Sequence, residues 1–125
     1  MKKVLVYFGM FAVFALFFAS CGRETFDESL LIGKWENNNT PGEFYRYLPD
    51  GTGRMWNESV DWFEDEARQT TWTLNDSELE VEYLPFMPGD WSVTRVFTIT
   101  VLNSTTLRYR DNFDGRVHSF TRVRE

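Results

Sequence analysis

Residues 93–111 read VTRVFTITVLNSTTLRYRD. Phe97, Ile99 and Val101 are separated by threonines, which is the period-two pattern of a strand with one apolar and one polar face. The dipeptide Asn103-Ser104 then makes a short polar break of the kind found in hairpin turns. The stretch therefore predicts two antiparallel strands joined by a tight turn.

The same period-two pattern recurs along the rest of the chain, and no helix-length amphipathic pattern competes with it. We predict eight strands, near Leu30–Glu36, Glu43–Leu48, Gly53–Ser59, Arg68–Leu74, Leu79–Leu84, Val93–Leu102, Thr105–Asp111 and Arg116–Arg124. Eight short strands in one small domain favour an all-β, up-and-down antiparallel barrel, because closure removes the exposed edges of a sheet.

The connections between these strands alternate in length. Those after the second, fourth and sixth strands are tight turns, whereas those after the first, third, fifth and seventh are mostly longer. In an up-and-down barrel the two sets lie at opposite ends. We therefore expect one closed end and one end that carries the long loops, with the lower barrel filled by aromatic side chains and any ligand held near the mouth.

A charged and then apolar segment precedes the only cysteine of the chain. Lys2 and Lys3 are followed by the apolar run Val4–Ala19, which ends just before Cys21. A charged region, an apolar region and small residues at a processing site are the parts of a secretory signal. The sequence Phe18-Ala19-Ser20-Cys21 resembles the lipobox of bacterial lipoproteins.

That resemblance divides the chain into a signal peptide (1–20), a lipidated tether (21–29) and a barrel domain (30–125). It implies acyl chains on Cys21, palmitate among them, that bind the protein to a membrane. The expected location is the bacterial cell envelope, at the periplasmic or surface face of the outer membrane. The alternative is a transmembrane anchor, but a span needs about 20 apolar residues and this run is shorter.

Composition excludes several classes of function. The formal net charge is −6, and removal of Lys2 and Lys3 with the signal would leave 11 basic against 19 acidic side chains, a net charge of about −8. Nucleic acid is therefore not an expected partner, because phosphate binding relies on an excess of Lys and Arg. An aromatic content of 18% argues against a disordered stalk.

Short motifs in the first and last predicted strands resemble those of lipocalins, and two segments between them resemble the small lipocalin-like domains of bacterial lipoproteins. The segments are Gly33-Lys34-Trp35, similar to the G-x-W signature of the first strand; Phe120-Thr121-Arg122, similar to the closing strand; the turn at 50–53; and Trp72-Thr73-Leu74. The resemblance implies a lipocalin-like, calycin-type barrel in which Arg122 packs over Trp35. Strand positions independently place both side chains at the closed end of adjacent strands, where a cation–π contact stabilises by about 0.5–2 kcal/mol. We interpret Gly33, Trp35 and Arg122 as structural.

Three basic residues occupy inward positions where the alternation calls for apolar ones. Arg68, Arg95 and His118 each lie near the start of an even-numbered strand, so all three should point into the mouth. Such a cluster suits a carboxylate or another anionic group. The alternative is that these side chains reach solvent or pair with acidic residues, for which the sequence offers Asp61, Glu64 and Asp111.

Large apolar residues lie in or beside the predicted long loops, among them Trp62, Phe86 and Trp91. Loops are usually polar, so these side chains indicate a lid over a ligand or a docking patch for another protein, unless they simply cap the barrel. We add these three to the candidate ligand-binding residues.

No motif supports catalysis, a metal site or a cofactor. The chain has one histidine, and its only cysteine is the expected lipidation site, so few side chains are left for catalysis. The sequence favours a non-enzymatic, membrane-tethered lipocalin-like lipoprotein that binds a small amphipathic or anionic molecule at its open end. The alternative is a lipoprotein with a filled barrel that docks an envelope protein through its aromatic loops.

Overall fold

The computed structural model describes residues 24–125. The eight predicted strands form one closed antiparallel barrel, which confirms the fold class. The strands are β1 (Gly33–Asn37), β2 (Glu43–Tyr47), β3 (Thr52–Asn57), β4 (Arg68–Asn75), β5 (Glu78–Tyr83), β6 (Val93–Leu102), β7 (Thr106–Asp111) and β8 (Val117–Arg122). The predicted signal peptide and Cys21 lie outside the described residues.

Each strand pairs with the next along the chain, and β8 pairs with β1 to close the barrel. The short connections, 48–51, 76–77 and 103–105, lie at one end, and the longer ones, 38–42, 58–67, 84–92 and 112–116, lie at the other. The alternation predicted from the sequence is therefore observed, and it defines a closed end and an open end.

The helical content of residues 24–125 is limited to short 3₁₀ turns, at Glu28–Leu30, Glu58–Val60 and Glu64–Glu66. Within this part of the chain we find no helix long and apolar enough to cross a bilayer. The first of these turns lies just before β1, and the other two lie in the long connection between β3 and β4.

The hydrophobic core fills the closed half of the barrel. Leu31, Trp35, Leu79 and Leu107 are almost completely buried there, and Tyr47 packs edge-on against Trp72 with ring centroids 5.9 Å apart. Leu31 lies between the first 3₁₀ turn and β1, and the other side chains come from five different strands and share the inward parity that the alternation predicts. The lower barrel is therefore a packed interior.

Trp35 and Arg122 meet at the closed end. Their residues are directly paired between β1 and β8, and the guanidinium carbon of Arg122 lies 4.3 Å from the centre of the Trp35 ring. Arg122 also donates hydrogen bonds to the carbonyl oxygens of Ile32 (2.7 Å), Ser104 (2.8 Å) and Leu30. The indole Nε1 donates to the Leu31 carbonyl oxygen at 2.9 Å.

Glycine at position 33 has a steric reason. Gly33 has φ +134°, a conformation that L side chains rarely adopt, and a Cβ at this position would collide with the guanidinium of Arg122. In the segment Gly33-Lys34-Trp35, the glycine leaves room for the guanidinium of Arg122, and the indole of Trp35 packs against that guanidinium.

The chain enters the barrel from the closed end. Phe26 and Leu30 pack against the core, and the Phe26 N–H bonds the carbonyl oxygen of Asp76 in the turn between β4 and β5, at 3.3 Å. Asp27 caps the first 3₁₀ turn, since its carboxylate accepts a hydrogen bond from the Ser29 N–H at 3.0 Å. The last residues of the predicted tether are thus part of the packed domain.

One irregularity interrupts the alternation in β6. The register between β6 and β7 shifts between Ile99 and Val101, so one extra residue is accommodated there. Ile99 and Leu102 are both buried, whereas Val101 is only half-buried. The strict alternation read from the sequence would have placed Val101 in the interior and Leu102 outside.

Candidate functional site

The open half of the barrel holds a cavity of about 820 Å³. Its inner wall includes Tyr45, Met55, Tyr83, Phe97 and Tyr109, and its rim is formed by the long loops. This volume lies within the range of about 300–1,000 Å³ that is typical of small-molecule sites. The barrel is therefore filled below and open above, as expected from its crowded aromatic interior.

Tyrosine hydroxyls supply polar groups in this wall. Burial raises the pKa of Tyr83 to about 12, and burial also holds the pKa values of Tyr45 and Tyr109 well above their ordinary value. All three side chains are therefore neutral at physiological pH. A neutral phenol both donates and accepts a hydrogen bond, so this wall suits a ligand with an apolar body and a few polar atoms.

Arg68 is the cation that the structure leaves available to a ligand. Its Nε donates to the Leu84 carbonyl oxygen at 3.0 Å, and its guanidinium lies 5.6 Å from the Tyr83 ring and 5.2 Å from the Phe86 ring. Among the described residues it forms no ion pair, and its terminal nitrogens have no hydrogen-bond acceptor. A guanidinium has five N–H donors, so four stay free.

Arg95 lines the same cavity, but its charge is already neutralised. Its Nη2 donates to the carboxylate of Asp111, whose other oxygen accepts from the Phe113 N–H at 2.8 Å. Burial alone would raise the pKa of Asp111, but these hydrogen bonds hold it below its ordinary value. The alternative interpretation from the sequence, pairing of a mouth cation with an acidic residue, therefore applies to Arg95 and not to Arg68.

His118 completes the predicted cationic set on the opposite wall. Its ring lies 5.6 Å from that of Tyr109 and 6.4 Å from that of Phe97, measured between centroids. It is half-buried and lines the cavity with Arg68 and Arg95. All three basic residues that the parity argument selected thus border the same space.

The three loop aromatics separate into two groups. Trp62 and Phe86 line the cavity, with ring centroids 5.6 Å apart, and form one side of the rim. Trp91 is 86% exposed and does not line the cavity, in contrast to the prediction. Its loop turns at Gly89, where φ is +92° and the Asp90 N–H bonds back to the Met87 carbonyl, so Trp91 projects into solvent.

The loop that carries Trp62 is attached to the outer wall of the barrel. Glu64 accepts hydrogen bonds from Arg46 Nε (2.6 Å) and Arg54 Nη1 (3.2 Å), and Glu58 accepts from Trp56 Nε1 at 3.0 Å. These contacts tie residues 58–67 to β2 and β3. The position of Trp62 at the rim is therefore supported by ion pairs outside the cavity.

Other lining residues were not predicted from the sequence, among them Asn37, Glu43 and Met55. Each stands two residues from, or directly pairs with, an aromatic residue that faces the interior, as Glu43 stands two residues from Tyr45 and Met55 pairs with Tyr45. The same parity, continued to the mouth end of each strand, would have found them.

Residues 24–125 contain no candidate metal site, because no group of three His, Cys, Asp or Glu side chains in this range is placed to hold an ion. What the cavity offers is shape, aromatic surface and hydrogen-bonding groups. These properties fit binding of an organic molecule.

No protein-family model matches the chain, and no curated protein matches its sequence. Solved structures with a similar fold include a lipocalin-like protein from Bacteroides uniformis, with a TM-score of 0.55 and 18% identity over 74% of this chain and 97% of that one. An uncharacterised protein from Bacteroides eggerthii has a TM-score of 0.58 and 16% identity over 74% of this chain and 99% of that one. At these identities the likeness shows the fold alone, and the protein accordingly has a lipocalin-like eight-stranded barrel.

Proposed function

We propose that this protein is a non-enzymatic, membrane-tethered lipoprotein that binds a small amphipathic anion in the open half of its barrel. The observation that carries the proposal is Arg68, a partly buried cation without a carboxylate partner in the described chain, placed at the edge of an aromatic cavity. A cation in such a setting attracts an anion more strongly than one in open solvent.

The remaining groups of the cavity support the same ligand class. Phe97, Met55 and the tyrosine rings provide apolar contact for a hydrocarbon or aromatic body, and Trp62 and Phe86 cover one side of the entrance. Arg95 contributes little attraction, because Asp111 neutralises it. The binding residues that we propose are therefore Arg68 and His118, with Trp62 and Phe86 as contacts at the rim.

A lipid on Cys21 would fix the orientation of the open end relative to the membrane. If Cys21 carries the lipid, the short link to Phe26 spans at most about 3.5 Å per residue, and Phe26 packs at the closed end. The closed end would then lie towards the membrane and the open end would face away from it. We propose a lipid-anchored position in the bacterial cell envelope, at the outer membrane, with ligand captured from the aqueous side.

An acid and its matched alcohol test the proposed preference for anions. We expect the full chain in lipid nanodiscs to bind a fluorescently labelled decanoic acid roughly tenfold more tightly than the corresponding alcohol, because charge-assisted hydrogen bonds contribute about 1.5–3 kcal/mol. Arg68→Gln should abolish this difference. Fluorescence titration gives both affinities, with empty nanodiscs as the blank.

The matched control is Arg110→Gln, which removes the same charge from an exposed position on β7. It should retain the preference for the acid. Equal, weak binding of both probes to the unmodified protein would reject the proposed function, and loss of preference in both variants would assign it to net charge instead of to Arg68.

Exposed loop aromatics favour a second candidate function, docking of an envelope protein. Phe113 and Trp91 are 89% and 86% exposed at the open end. A stoichiometric protein partner lost on Trp91→Ala, together with no binding of either probe, would support this alternative. The sequence-based alternative combined docking with a filled barrel, but docking through these loops is equally compatible with the open cavity.

A further inference from the structure

We propose that the ligand of the open cavity is amphoteric, with an anionic group that contacts Arg68 and a cationic or strongly hydrogen-bond-donating group that contacts Glu43. This inference rests on the proposed function and specifies its ligand further. It follows from the presence of two opposite charges that line one cavity without pairing with each other or with another charged residue of the described chain.

One carboxylate oxygen of Glu43 accepts no hydrogen bond from the described residues. Its Oε1 accepts hydrogen bonds from the Tyr45 hydroxyl (2.5 Å) and from Asn37 Nδ2 (3.4 Å). Its Oε2 has no donor among the described residues, although a carboxylate accommodates about four hydrogen bonds. The residue is half-buried at the mouth end of β2, so this oxygen is the acceptor available to a ligand inside the cavity.

The register of the barrel fixes the separation of the two charges. Tyr45 pairs with Met55, and Met55 pairs with Arg68, so these residues form one row across β2, β3 and β4. Adjacent strands lie about 4.8 Å apart, and Glu43 stands two residues further towards the mouth, which places its Cα roughly 12 Å from that of Arg68. A ligand of moderate length can therefore contact both groups at once.

The surface between the two charges is apolar. Met55 on β3 occupies the position between the strands that carry them. Phe97 on β6 and Tyr109 on β7 add aromatic surface elsewhere in the cavity wall, with ring centroids 4.2 Å apart. Unpaired charges in a partly desolvated site are unfavourable, and a ligand that neutralises both removes that cost. The geometry thus selects a molecule with opposite charges at the two ends of an apolar body.

Three eight-carbon probes test this inference: 8-aminooctanoate, octanoate and octylamine. With the full chain in nanodiscs, calorimetric titration should show roughly fivefold tighter binding of 8-aminooctanoate than of octanoate. Glu43→Gln should remove that advantage and leave the affinity for octanoate equal or higher. The amide keeps an oxygen for Tyr45, so the variant retains its local hydrogen bond.

Glu80→Gln is the matched control, because it removes one negative charge from an exposed outward position on β5 and should leave the advantage intact. Binding of octanoate at least as tight as that of 8-aminooctanoate would overturn the amphoteric ligand and leave the anion site standing. Failure of the unmodified protein to bind any of the three probes would reject the anion site as well. Thermal unfolding of each variant verifies that it is folded.

Discussion

The Trp35→Ala variant is expected to lose about 3–5 kcal/mol of unfolding free energy, the usual cost of removing a large buried aromatic side chain. Trp35 has no exposed surface, its Nε1 donates to the Leu31 carbonyl oxygen, and Arg122 covers one face of its ring. Alanine would leave a cavity and an unpaired carbonyl at the closed end. Urea denaturation followed by far-ultraviolet circular dichroism gives the free energy directly.

Trp91→Ala is the control for this experiment, because the same change of residue is made at a side chain that is 86% exposed. Its unfolding free energy should be nearly unchanged. Arg122→Ala should fall between the two, since it removes the stacking cation and three hydrogen bonds but leaves a smaller void. Equal stabilities for the Trp35→Ala and unmodified proteins would contradict the structural role of the closed end.

The Cys21→Ala variant is expected to stay in the aqueous phase on detergent partitioning, whereas the unmodified protein enters the detergent phase. The reason is that lipidation requires the cysteine thiol, and each acyl chain contributes about 0.8 kcal/mol per buried CH₂. Mass spectrometry of the purified protein should show the acyl chains on Cys21 and no residues before it.

Ser29→Ala provides the comparison for this second experiment, since it alters an exposed residue before the barrel and keeps Cys21. It should partition like the unmodified protein. Retention of Cys21→Ala in the detergent phase, with residues 1–20 still attached, would show that the apolar run Val4–Ala19 acts as an anchor instead.

The barrel could be predicted from the sequence because its signal is repeated and local. Alternation such as Phe97-Thr98-Ile99 identifies a strand that has one face in the core, and the alternating loop lengths then distinguish the two ends of the barrel. The bulge after Ile99 was not predictable, because it depends on how β6 fits β7 and not on the residues of β6 alone.

The candidate site was predictable only in part. Parity brought Arg68, Arg95 and His118 to one cavity, but it could not show that Arg95 is paired with Asp111, which depends on side-chain distances across β6 and β7. Trp91 was misplaced because the path of the loop is set by its turn at Gly89.

Trp56, on the outside of the barrel, shows a limit of the alternation pattern. Trp56 has outward parity and yet is completely buried, because Phe44 stacks on it at 5.6 Å, Lys34 lies over its ring at 5.4 Å and the connection between β3 and β4 is attached beside it. Alternation predicts the face of the sheet that a side chain occupies. It does not predict which outward residues a loop will cover.

The central claim is that a small amphipathic anion binds within the open half of the barrel, and chemical-shift mapping tests it most directly. Titration of the ¹⁵N-labelled full chain in nanodiscs with decanoate should shift the backbone amides of residues that border the cavity, which are Glu43, Tyr45, Arg68, Tyr83, Arg95 and Phe97. Amides at the closed end, around Leu31 and Leu107, should stay unchanged. Shifts confined to the exposed loop residues 87–91 and 113, with none at Tyr45 or Arg68, would contradict the account.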